Sequence, residues 1–285
     1  MTLRILAATD LSVPSLLAVT GAARLTAAAA ARLDIVHVIR QWRWTPLAWL
    51  RNAIAIEVAA ERRLAAAVAD AVKEGAEARG HLVTGAPVAT LEALSRELAA
   101  DLVVLGTRGS RGLLDGVLGT TAERLIERLP CAALVVRQRA RAPYRTLLAC
   151  VDTSPAAIAA LRRAMALAPD ARVHVVHAHE PPLSATLRRF RLHAQAAAHL
   201  AAERTRVRAA LEAALTAAGI DMRRVHLTLR SGPPSRVIER AAARLAPDLI
   251  AVGHSASLIG RFFLGSIARH VLRMDIGDVL VARAG

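Results

Sequence analysis

DLVVLGTRGSRGLLDGVLGTTAERLIERLPCAALVV, Asp101 to Val136, places two short apolar runs around a glycine-rich segment and an amphipathic stretch. Leu102–Leu105 and Ala133–Val136 are continuous and rich in Val, Leu and Ala, which suits strands buried on both faces of a parallel sheet. Thr120–Leu129 opens with hydroxyls able to cap a helix. The order strand, glycine loop, helix, strand is the βαβ unit of an α/β protein.

Working outward, the first half supplies three more strand runs, Arg4–Thr9, Asp34–Ile39 and His81–Val83. Helix-like stretches separate them. Pro14–Ala31 is alanine-rich, Glu57–Ala78 spaces Val58, Leu64, Val68 and Val72 at helical intervals, and Pro87–Ala99 begins with a proline suited to a first turn. Everything then recurs. ILAATDLS from Ile5 returns as LLACVDTS from Leu147, and LDIVHVI from Leu33 as RVHVVHA from Arg172. TGAPVATLEALSRELAADLVVLG from Thr84 returns as SGPPSRVIERAAARLAPDLIAVG from Ser231, and LGTTAERLIERLP from Leu118 as LGSIARHVLRMDI from Leu264. The offsets, 142 at Asp10/Asp152, 147 at Gly85/Gly232 and 146 at Gly119/Gly265, are nearly constant. A tandem duplication follows, with domains expected over 1–140 and 145–285 and a polar linker, Arg137 to Tyr144, between them. Each half is read as a doubly wound α/β sheet, with ligands expected beyond the C-terminal strand ends at the switch point. That crevice gathers Asp10, Val38 and Gly106.

Composition narrows the function classes. Apolar residues make up 54% of 285, enough for sizeable cores and too many for disorder. Two cysteines exclude a disulfide scaffold, and Cys131 and Cys150 read as buried hydrophobes. No signal peptide is visible and no run approaches the ~20 apolar residues of a membrane span, so a cytoplasmic location is expected. Net charge is +15, with +4 in residues 1–140 and +11 in 141–285. All but one of the 38 basic residues are Arg, mostly scattered, and there are only seven Trp, Tyr and Phe in all. Nucleic acid, which needs stacking platforms, is the less favoured partner.

GTRGSRGLLDGVLGTT, Gly106 to Thr121, permits close backbone approach and leads into a helix N-terminus, a setting that favours a phosphate; a merely tight strand-to-helix connection is the competing reading. The Walker pattern is absent, as is a Rossmann GxGxxG after the first strand. The spacing Gly106-x2-Gly109-x9-Gly119-Thr120 matches the G-x2-G-x9-G-[ST] pattern of ATP-binding universal stress proteins. ILAATD, VHVI, the GAP turn and DLVVLGTRG also resemble that family in order, and the resemblance runs through nearly the whole chain twice.

The resemblance implies a five-stranded parallel sheet of order 3-2-1-4-5 in each half. It further implies pairing of the fifth strands, Ala133–Val136 with Asp278–Val281, as an internal pseudo-dimer, and homodimers as a further assembly. It implies Thr9 and Asp10 near the nucleoside, the Val38 backbone against adenine, and Leu105 and Gly106 on the ribose side. Gly109, Ser110, Gly119, Thr120 and Thr121 would hold the phosphates of ATP. Asp115 offers a ligand to Mg²⁺ or is a solvated loop aspartate.

The second half departs from the pattern. In GHSASLIGRFFLGS, Gly253 is kept, Ala256 replaces the second glycine, one residue is missing before Gly265, and Phe262 and Phe263 add bulk. Asp152, Gly253, Gly265 and Ser266 therefore mark a degenerate second site. Asp10 and Asp152 either cap a loop or bind a ribose hydroxyl, or act as bases or metal ligands. Arg108 and Arg111 bring charge, but no base is placed for phosphoryl transfer, so no catalytic residue and no metal site is assigned. His177 and His179 share a strand face, with Glu180 beside them and His174 nearby; a metal site and an ordinary strand histidine like His37 remain alternatives. QWRWTPLAWL, Gln41 to Leu50, holds all three tryptophans and is a lid, a docking patch or a helix cover. The expected function is non-enzymatic ATP binding in a stress-response regulator with an unidentified protein partner. A slow ATPase or autophosphorylating protein, and a basic module for an anionic partner, are the alternatives.

Overall fold

The alternation of buried runs and amphipathic segments folds as a computed structural model that describes residues 3–40, 50–107, 119–137, 143–179, 193–254 and 264–284. In the first half the elements are β1 (Arg4–Thr9), α1 (Val13–Ala29), β2 (Arg32–Arg40), α2 (Leu50–Lys73), β3 (Glu77–Gly85), α3 (Pro87–Glu97), β4 (Leu102–Gly106), α4 (Thr120–Arg128) and β5 (Ala132–Val136). The second half gives β6 (Thr146–Cys150), α5 (Pro155–Leu167), β7 (Arg172–His179), α6 (His193–Ala217), β8 (Val225–Ser231), α7 (Pro234–Leu245), β9 (Leu249–Gly253), α8 (Ser266–Arg273) and β10 (Asp278–Ala282).

The described residues fall into two compact units. The first contains those up to Pro143 with Leu264 and Gly277–Val281; the second contains the rest. In the first unit the strand order is β3-β2-β1-β4-β5, parallel throughout, as the resemblance implies. Right-handed crossovers explain the layering. Moving outward from β1 to β3 puts α1 and α2 on one face, and returning through β4 to β5 puts α3 and α4 on the other. The second unit repeats the first four strands as β8-β7-β6-β9, all parallel.

The last strand behaves differently. Most of β10 groups with the first unit, antiparallel to β5, with Val279 opposite Val135, Leu280 opposite Leu134 and Val281 opposite Ala133. All five residues of each strand are buried. Buried Asp278 accepts from the Arg137 N–H at 2.8 Å, which satisfies a carboxylate otherwise costly inside a core. The fifth strands therefore pair within one chain.

Both units use the same device to start their sheets. Asp101, just before β4, takes the Arg4 N–H at 3.0 Å, and Asp248, just before β9, takes the N–H groups of Arg145 and Thr146 at 2.8 and 2.9 Å. Two expected boundaries are corrected. The second helix ends at Lys73 rather than Ala78, because Gly75 turns the chain at φ 89° and Glu77 already belongs to β3. β3 is also longer than His81–Val83, since at the sheet edge its side chains are half-exposed and polar, so no apolar run marks it.

Candidate functional site

β1 stops opposite His37, so from Val38 onward the β1-facing edge of β2 has no strand of β1 beside it. On the other side β4 continues to Gly106, opposite Val136. The crevice between these walls is the switch point of the sheet, where the helices leave to opposite faces.

The turn leaving β1 closes the floor of the crevice. Thr9 is buried, and its Oγ1 lies 2.8 Å from Ser15 Oγ and accepts from the Leu11 N–H at 2.9 Å. Asp10 Oδ1 accepts from the Ser12 N–H at 3.0 Å and from the Ser12 hydroxyl, an Asx turn that leads into α1. Leu11 is held at φ 62°, a left-handed conformation that L-residues other than Asn and Asp seldom adopt. Arg63 of α2 donates to its carbonyl at 2.7 Å and helps hold it there. His37 Nδ1 lies 2.9 Å from the Thr9 carbonyl. A carbonyl only accepts, so Nδ1 carries the proton, and Nε2 of the neutral ring is an acceptor.

Gly106 is set by contact. A Cβ there would lie 3.2 Å from Ser15 Cα and 3.3 Å from the Pro14 carbonyl, so glycine lets β4 end against the first turn of α1. Gly119 closes the loop base by donating its N–H to the Thr107 carbonyl at 3.2 Å. It is also the N-cap of α4, without a side-chain cap, so Thr120 and Thr121 are exposed first-turn residues rather than the cap expected of them. Val38 is half-buried on β2. Leu105 is buried with its side chain in the core, which leaves only its backbone to line a site. Gly109, Ser110, Asp115, Arg108 and Arg111 lie outside the described residues, as do the three tryptophans, Glu180, Ala256, Phe262 and Phe263.

In the second unit the four residues expected at a degenerate site, Asp152, Gly253, Gly265 and Ser266, line one cleft of about 230 Å³ with His177 and Cys150. Asp152 Oδ1 accepts from the Ser154 N–H at 2.9 Å and from its hydroxyl, repeating the Asx turn of the first half. His177 Nδ1 stands 2.8 Å from the Val151 carbonyl, as His37 does from Thr9. Gly253 is tighter than its counterpart: a Cβ would come within 2.5 Å of the Ala157 nitrogen and 2.7 Å of its Cα. Cys131 and Cys150 are half-buried rather than the fully buried hydrophobes expected, and desolvation pushes the Cys150 thiol up to about 12. His177 and His179 stack with ring centroids 6.5 Å apart, while His174 stacks instead on His226 at 5.2 Å. Among the described residues no cluster of three His, Cys, Asp or Glu is placed to hold a metal ion.

Ser12, Ser15, His37, Arg63 and His177 carry this geometry although the motif did not single them out as site residues. The Asp-x-Ser spacing of DLS and DTS, and the histidine at the same point of both second strands, are the signals for all but Ser15 and Arg63. Arg63 reaches Leu11 from a separate helix, and nothing local announces it.

The universal stress protein family model matches residues 1–137 and again 143–283. Universal stress protein A homolog 1 of Coxiella burnetii is 33% identical over 139 residues, covering 46% of this chain and 94% of that one. A 57-residue stretch is 42% identical to universal stress protein E of Salmonella typhi, covering 20% of this chain and 18% of that one. The chain thus matches less than a fifth of the length of such relatives. A universal stress protein from Archaeoglobus fulgidus superposes with a TM-score of 0.71 at 19% identity over 99% of this chain and 98% of that one, a likeness of fold. No helix among the described residues is long and apolar enough to cross a membrane. With both halves matched and the parallel sheet repeated, the chain belongs to the universal stress protein family as a tandem of two such domains.

Proposed function

We propose that the first domain binds ATP in the crevice between β2 and β4 and that the protein is a nucleotide-responsive regulator. The observation that carries this reading is the place where β1 ends. It leaves backbone of β2 from Val38 onward for a base to meet by hydrogen bonds. It brings Gly106, which has no side chain to obstruct, to the opposite wall. The loop from Gly106 to Gly119 carries the spacing of ATP-binding members. Its far end opens into α4, whose first-turn N–H groups and exposed Thr120 and Thr121 suit phosphate oxygens. Thr9 and Asp10 flank the ribose position. Gly109 and Ser110 complete the phosphate cradle, and Mg²⁺ accompanies the phosphates.

The bound nucleotide acts as the signal, read by a protein partner. The competing chemistry predicts inorganic phosphate released by slow hydrolysis, or phosphate incorporated into the protein by self-phosphorylation, on incubation with Mg²⁺ and ATP.

The second domain keeps a cleft at the equivalent place, and that observation favours a second reading in which it also accepts a nucleoside. This site is the weaker of the two because its glycine loop is altered.

Mass spectrometry of nucleotide released from purified protein, beside a Gly109→Ala/Gly119→Ala variant, is the test. Among the described residues a methyl at Gly119 meets nothing closer than the Thr107 carbonyl at 3.9 Å. ATP released from the parent and not from the variant supports the reading. No nucleotide in either, and no uptake of added ATP, overturns it.

A further inference from the structure

A second cleft in the second unit, about 300 Å³, runs between α7 and the outer strands β7 and β8, away from the turn residues that line the nucleotide-like cleft. Arg230 of β8, Arg240 and Arg244 of α7 and His174 of β7 line it, and no acidic side chain does. Three arginines of the same unit sit in ion pairs, Arg206 with Glu203, Arg208 with Glu212 and Arg223 with Asp221. Arg230, Arg240 and Arg244 have no ion-pair partner among the described residues. Gathering three guanidinium groups around one depression costs repulsion that an anion relieves.

The first unit balances its own charge at the part of this place that a cleft of its own shares, Asp34 and His81. Aligned through the paired strands and the Gly85/Gly232 repeat, His174 replaces Asp34, Thr228 replaces His81, Arg230 replaces Val83, Arg240 replaces Ala93 and Arg244 replaces Glu97. In the first unit a cleft of about 200 Å³ is lined by Arg4, Arg32, Asp34, Glu77, Arg79 and His81. There His81 meets Asp34 at 2.7 Å and Arg32 meets Glu77 at 3.4 Å. Two acids have thus become bases and two neutral positions have become arginine, all around one depression. Dispersed drift toward arginine does not concentrate substitutions in this way.

Thr228 and Ser231 add hydroxyls, and Leu148, Val237 and Leu245 supply an apolar wall. His174 has its pKa lowered by burial and by the charges of His226, Arg172 and Arg244. Its environment is electropositive before any ligand arrives.

We propose that this cleft binds a phosphorylated small molecule, with the phosphoryl group on Arg230, Arg240 and Arg244 and the organic part against Leu148, Val237 and Leu245. Arginine forks match phosphate oxygens in pairs, and the volume suits a small ligand. The site is separate from the nucleotide crevice of the first domain and does not depend on it.

Histidine-detected NMR of the full chain, titrated with phenyl phosphate, inorganic phosphate and, at matched ionic strength, sodium chloride, tests the assignment. His174→Gln identifies the resonance. Saturable shifts of His174 and His226 are expected, with the His174 pKa rising as the anion offsets the arginine charges. Phenyl phosphate is expected to bind at least tenfold more tightly than inorganic phosphate. Arg240→Gln/Arg244→Gln, at exposed positions, is expected to weaken binding at least tenfold with an unchanged thermal midpoint. Arg230→Gln is expected to weaken it from the strand side and stands alone where the double variant does not fold. No saturable shift, or shifts matched by chloride, overturns the site. Equal affinity for both phosphates overturns the organic ligand, and binding unchanged in the arginine variants overturns the arginine cradle.

Discussion

The turns after β1 and β6 share an Asx turn and differ in backbone and in what fills it. In the first, Thr9 and Ser15 form a buried polar pair, Leu11 adopts φ 62° and Arg63 reaches across to its carbonyl. In the second, the aligned residues are Val151 and Ala157, and Thr153 has no positive φ. The second turn packs more closely, with α5 against Gly253, and an open cleft lies over it. The same Asx turn can therefore be followed by a hydrogen-bond network or by apolar contact. The polar version keeps groups near the crevice that can be redirected to a ligand.

The largest expected effect concerns the thiol under the second cleft. With Cys150 pushed up to about 12 by burial, its thiolate at pH 8 is roughly a thousandfold rarer than that of an ordinary cysteine near ~8.5. Iodoacetamide should modify Cys150 far more slowly in the native protein than after denaturation; equally fast native labelling, read by peptide mass spectrometry, would show that burial does not hold the thiol protonated. Unfolding returns the thiol to its ordinary range. Its contribution to stability is therefore complete below about pH 8.5 and is lost as the pH rises toward 12.

Next come the paired glycines. Gly253→Ala forces a Cβ to within 2.5 Å of backbone, and a loss of about 3 kcal/mol is expected. Gly106→Ala, at 3.2 Å, should lose about 1 kcal/mol. Equal losses in urea unfolding would mean that the two strand–helix contacts are alike after all.

The polar pair gives a smaller, more diagnostic effect. Ser15→Ala should cost about 1–2 kcal/mol by leaving Thr9 partly unsatisfied, whereas Thr9→Val/Ser15→Ala, which installs the residues of the second half, should cost less than the sum of its singles. Strict additivity in the double-mutant cycle would remove the case for a coupled pair. Smallest is Arg63→Ala, about 0.5–1 kcal/mol from one hydrogen bond to the Leu11 carbonyl. A greater effect on nucleotide retention than on stability would place Arg63 at the ligand.

Much of this was legible in the chain. The first-half strand order followed from the resemblance, and β1 was bounded correctly because its buried run ends at Thr9, just before a polar turn. β3 was underestimated because an edge strand need not be apolar. The spacing of Gly106 and Gly119 located the crevice, but it did not show that Gly119 rather than Thr120 caps α4. The cleft of the second half was marked as degenerate by its altered loop, while the turn beneath it, Asp152 with Ser154, is built as in the first half.

The sequence by itself determined the duplication, the parallel α/β architecture and the glycine spacing, since these depend on local periodicity and repeat offsets that survive along the chain. Only the tertiary structure decided that Arg63 clamps a turn 52 residues away and that His174 meets Arg230, Arg240 and Arg244 around one cleft. Those juxtapositions depend on which strand edges pair and which helix packs over them, and residues distant along the chain carry no local mark of meeting.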